Sequence, residues 1–197
     1  MAMKRFPSDK LMEIEGIELQ EGLSKCSCES EVEDTLKNYF MMSSMMNIRT
    51  VKVGIPNSRS ATDGVMEWAY VTSKSTQIFN VLNESKFRKR GYGADLYSQV
   101  CQALHYNYLL PDHNFKAFIV SSESYIGYFF ADEIESLILE MNKRFASCEL
   151  SPSKSYSKVK HLNSKMESYL ESKIIWINPK FELHKMIKDI YKHCIKK

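Results

Sequence analysis

An α/β fold, with α+β as the neighbouring class, is what this sequence predicts: a small mixed β-sheet flanked by helices. Two observations carry that expectation. Blocks with helical spacing (31–46, 94–110, 132–145) are separated by short β-branched or aromatic runs, so helices and strands are interspersed. One of those runs, Phe115 to Val120, is apolar almost throughout, as a strand covered on both faces must be. At 197 residues and 44% hydrophobic, the chain can bury roughly 70% of its unfolded surface, enough for one core with appendages.

Taken in order, residues 1–29 are polar and broken by Pro7, Gly16 and Gly22, which predicts a loosely ordered lead-in. Ser30 and Glu33 have the spacing of a capping box, so a first helix is expected over 31–46. Ile48 to Ile55 reads as a strand closed at Pro56-Asn57. Gly64 to Lys74 reads as a second, with Met66, Trp68, Tyr70, Thr72 and Lys74 on one face and Glu67 on the other. Thr76 to Leu82 is a third strand or a continuation of the second. Asn83 to Gly93 is a basic loop with interleaved aromatics, in which Lys86, Arg88, Lys89 and Arg90 are candidates for gripping phosphates. Ala94 to Leu110 is a helix stopped by Pro111; strands follow at 115–120 and 125–130, then a helix over 132–145. The core therefore spans 30–146. A Ser- and Lys-rich linker (147–158) leads to a C-terminal helical extension (159–197), with Ile174 to Ile177 as a short strand and Asn178-Pro179 as the start of a last helix.

The net charge of +3, from 27 basic and 24 acidic residues, proves no polyanionic partner. Five cysteines, an odd number without a zinc-type pairing, imply reduced thiols. No apolar run is long enough to span a bilayer, and no signal-peptide core is present, so an intracellular protein, cytoplasmic or nuclear, with no membrane partner is expected. No glycine-rich phosphate loop or nucleophile elbow is present, and the histidines lack metal-ligand spacing.

The order of elements, with Asp63 at a turn, Lys74 at a strand end and Gln102-Ala103-Leu104-His105-Tyr106 on a helix, resembles the restriction-endonuclease-like superfamily, the PD-(D/E)xK nucleases, in its RecB-like branch. The resemblance covers roughly Glu31 to Phe130. It implies a nucleic-acid-binding or -cleaving domain acting on DNA or RNA with Mg²⁺ or Mn²⁺. Asp63 would be a metal ligand and Lys74 the catalytic lysine, with Gln102 and Tyr106 in support and Glu33 as an added helical carboxylate. In that alignment the position two residues before Lys74 belongs to a carboxylate and is held by Thr72, which implies a degenerate, inactive or weakly active site. The alternative is a non-catalytic module that binds protein through its C-terminal helices or the methionine cluster at 41–46.

Overall fold

The computed structural model describes residues 9–42, 47–51, 62, 64–71, 74–87, 96–147 and 164–195. Its centre is a six-stranded sheet in the order β1-β2-β3-β4-β5-β6: Asn47–Val51, Gly64–Val71, Thr76–Ser85, Phe115–Ser121, Ile126–Phe130 and Ile175–Ile177. Every neighbouring pair is antiparallel except β3 and β4, which run parallel. A parallel pair needs a long crossover, and α3 (Leu96–Leu109) lies within it. The α/β expectation holds, and the optional third strand is real: β2 and β3 are separate strands of a hairpin.

Helices cover both faces. On one face α1 (Asp9–Lys25), α2 (Glu29–Met42) and α6 (Pro179–Ile195) pack on Met66, Trp68, Phe79, Val81, Ile119 and Tyr128. Trp68 is fully buried, with its ring 6.2, 5.9 and 5.2 Å from those of Phe40, Phe79 and Tyr191. On the other face α3, α4 (Glu135–Ala146) and α5 (Ser164–Lys173) cover Val65, Leu82, Phe118, Val120 and Phe129. Each such side chain contributes about 1.5–3 kcal/mol on burial. The alternation along β2 is as read, with Met66 and Trp68 on one face and Val65 on the other, while Glu67 is exposed. A register shift where β3 meets β4 sets Asn80 opposite Phe115 but Val81 opposite Ala117, so the chain bulges at Lys116.

Several expectations are corrected. Residues 9–25 are not a loose lead-in but a helix whose Leu19 and Leu23 enter the core. Gly16 lies against the carbonyls of Pro179 and Lys180, so the residue that reads as a breaker permits the close crossing of α1 and α6. Glu31 also closes the α2 start: its Oε2 accepts from the Ser27 backbone N–H (2.6 Å) and hydroxyl (3.0 Å). Those bonds lower the Glu31 carboxyl pKa. β3 runs on through Asn83, Glu84 and Ser85, where a basic loop was expected to begin. In the C-terminal extension, β6 joins the sheet edge beside β5, and α6 buries Leu183, Met186, Ile187 and Ile190. Most of the 147–158 linker lies outside the described residues.

Candidate functional site

Polar groups gather at one end of the sheet. There β2 begins, with Gly64 opposite Asn83, and there the parallel strands β3 and β4 both end. The open end of a parallel pair, outside the carboxyl ends of its strands, is where α/β sheets leave room for ligands. Asn83, Ser85 and Ser121 point to the α2 side and bond to one another: Asn83 Nδ2 donates to Ser85 Oγ (2.9 Å), and the two serine hydroxyls lie 3.0 Å apart. This buried network locks the last rung of the parallel pair.

Glu84 alternates to the opposite face and is wholly buried. A buried carboxylate requires a cation close by, since desolvation of an isolated charge costs several kcal/mol. Lys86 provides it, with Nζ 2.8 Å from Glu84 Oε1. The same ammonium lies 3.0 Å from Glu29 Oε1, in the first turn of α2, and donates to the Ser85 carbonyl at 3.0 Å. Two carboxylates from different elements thus converge on one cation beside the start of β2. Lys86 N–H donates to the Ser121 carbonyl at 2.9 Å, continuing the parallel ladder one residue past β3.

The backbone beneath this group is held from α3. Gln99 Nε2 donates to the carbonyls of Glu84 (2.6 Å) and Ser121 (2.9 Å), bridging the ends of β3 and β4, and its Oε1 accepts from Tyr125 Oη at 2.6 Å. Tyr125 stands in the β4–β5 turn, where Ser122 Oγ accepts from the Ser124 and Tyr125 N–H groups.

The residues expected from sequence fall differently. Lys74 is exposed in the β2–β3 turn. That turn is at the far end of the hairpin from the start of β2, roughly 23 Å away at 3.3 Å per residue. The described residues therefore do not bring Lys74 to the start of β2. Asp63 and Thr72 lie outside the described residues, as do Arg88, Lys89 and Arg90; Thr62, just before Asp63, is buried. Lys86 is not an exposed loop cation but is buried and engaged by Glu84 and Glu29. Gln102 and Tyr106 bond to each other at 3.4 Å along α3, and the glutamine that reaches the sheet is Gln99, one turn earlier. Glu33 follows Glu29 by one turn of α2 and so shares its helix face.

Sequence reasoning missed Glu84, Glu29, Gln99 and Tyr125. The signal for the first was present: Glu84-Ser85-Lys86 is itself a carboxylate-x-lysine, hidden because Asn83-Glu84-Ser85 has the polarity of a loop. Among the described residues no group of three or more His, Cys, Asp or Glu side chains is gathered, and no helix is long and apolar enough to cross a membrane. No protein-family model, no curated protein and no solved structure matches this chain.

Proposed function

We propose that this protein is a divalent-metal-dependent nuclease of the PD-(D/E)xK kind, with Glu84 and Lys86 as its carboxylate-x-lysine pair. The observation that carries the reading is the placement of Glu84 and Lys86 on one side of the β3 end, against Glu29 and next to the start of β2. The element order supports it: a helix, an antiparallel meander, a crossover helix and a strand parallel to the third. Asp63, which precedes Gly64 in the chain, completes the acidic set in this reading.

The donor set suits a hard cation, which takes carboxylate oxygens, and Glu84 and Glu29 already converge on one positive charge, the Lys86 ammonium. Glu84, Asp63 and Glu29 are the residues that would hold Mg²⁺ or Mn²⁺. When bound, the ion would supply Lewis-acid stabilisation to the scissile phosphate. Lys86 orients the attacking water and offsets the charge that develops on the phosphate oxygens. Gln99 keeps the Glu84 backbone fixed while charge moves across the site. The expectation of a degenerate site rested on Thr72, which this assignment no longer uses.

The test is hydrolysis of single- and double-stranded DNA and RNA with Mg²⁺ or Mn²⁺. Glu84→Gln, Lys86→Ala and Asp63→Ala are each expected to reduce the rate at least 100-fold, whereas Lys74→Ala leaves it unchanged. Equal activity of Glu84→Gln and the unaltered protein would defeat the proposal. The rival, a partner-binding module built on the C-terminal helices, is less well supported, because α6 directs its apolar face into the core.

A further inference from the structure

Glu84 belongs to a row that crosses four strands. It is opposite Val120 on β4, Val120 is opposite Gly127 on β5, and Gly127 is opposite Trp176 on β6. Lateral neighbours in a sheet share a face, so Trp176 projects on the same side as Glu84, three strand spacings or about 14 Å away. The row has no side chain at Gly127, and the indole fills that gap: a Cβ there would come within 2.7 Å of Trp176 Cε3 and 2.8 Å of Cζ3. Tyr125 supports the indole edge-on, with centroids 5.3 Å apart and planes at 88°. Its hydroxyl is the one bonded to Gln99, which holds the Glu84 carbonyl. Even so, Trp176 stays 42% exposed, on an edge strand of three residues.

We infer that Trp176, seated on Gly127 and braced by Tyr125, is a stacking platform for an unpaired base of the strand whose phosphate lies at Glu84 and Lys86. The inference rests on the reading that the adjoining site takes nucleic acid. An exposed aromatic ring on the rim of such a site offers a π-face to any base that is not already stacked, and a paired base inside a duplex cannot use it. The 14 Å separation corresponds to no more than about four stacked nucleotides at 3.4 Å each. The substrate class that follows is a single strand, or a duplex with an unpaired end, and not an intact duplex.

The experiment uses the full chain with Ca²⁺ in place of Mg²⁺ and compares fluorescein-labelled dT16 with a blunt 16-base-pair duplex by anisotropy. Trp176→Ala is expected to weaken dT16 binding by roughly 5- to 150-fold, the range for losing one stacked base. Trp176→Phe keeps it within about threefold, and duplex binding stays as it was. Of the two tryptophans Trp68 is fully buried, so quenching of intrinsic fluorescence by dT16 reports on Trp176 in the unaltered protein, whatever the fate of the alanine variant. Unchanged fluorescence at saturating dT16 overturns the platform, as does a Trp176→Ala protein that binds dT16 normally or loses both ligands equally. A protein that binds dT16 through Trp176 but cleaves nothing overturns the nuclease reading and leaves the platform standing. One that binds no nucleic acid overturns both.

Discussion

Lys86 is a counterion before it is anything else. Its ammonium is shared between a wholly buried carboxylate and a half-exposed one, so its removal takes away a cation 2.8 Å from the buried Glu84 carboxylate. Lys86→Met is therefore expected to cost about 3 kcal/mol in urea unfolding, and the double variant Glu84→Gln/Lys86→Met less than the single one. A second buried group sets a pH dependence. His105 is stacked on Phe145 at 4.3 Å, and burial pushes its pKa down to about 4. Between that value and the 6.5 of an exposed histidine the unfolded chain binds the proton and the folded chain does not, so stability falls as pH drops from 6.5 towards 4 and is fully present above 6.5. Across that window the loss is about 3 kcal/mol at 1.36 kcal/mol per pH unit. His105→Phe, which keeps the stack, is expected to flatten that part of a plot of Tm against pH. Neither effect is legible in sequence: a histidine on an apolar helix face can be seen, but its burial cannot.

At the level of elements, what could be read was whatever announces itself through apolar periodicity. The strands at 64–71, 115–121 and 126–130 and the helices at 96–109, 135–146 and 179–195 follow their hydrophobic patterns. Two elements were hidden because the packing that stabilises them is remote in sequence. α1 carries two glycines that look like breakers, yet Gly16 receives the carbonyls at the start of α6, and a Cβ at Gly22 would come within 3.1 Å of Thr35 Cγ2. The end of β3 was hidden by its polarity, which Ser121, Gln99 and Lys86 satisfy from other elements. Gly16→Ala keeps the helical conformation but drives a methyl into backbone that has little room to move. A loss of roughly 1–3 kcal/mol in urea unfolding is expected, with no change in the proposed nuclease activity below the transition.

For the molecule as a whole, a mixed sheet flanked by helices was legible, but its strand order was not: the parallel pairing of β3 with β4 joins segments remote in sequence, with α3 in the crossover between them. The candidate site was legible only in part, since its members come from α2, β3, α3 and the β4–β5 turn, and only the carboxylate-x-lysine lies within a contiguous stretch. That dispersal has a consequence in time. The β2–β3 hairpin is local and can form within about 1–10 μs, whereas β3 meets β4 only after residues 86–114 have closed a long loop, a slow, high-contact-order step. Glu84 and Lys86 are laid down early, but the Gln99 bridge and the Ser121 rung that fix them exist only once this loop has closed. During refolding from urea, recovery of the proposed nuclease activity is expected to lag behind the return of far-ultraviolet circular dichroism; simultaneous recovery would mean that the parallel pairing is not the last event. A nascent or partly unfolded copy would thus carry Glu84 and Lys86 without the contacts from α3 and β4 that hold them in place.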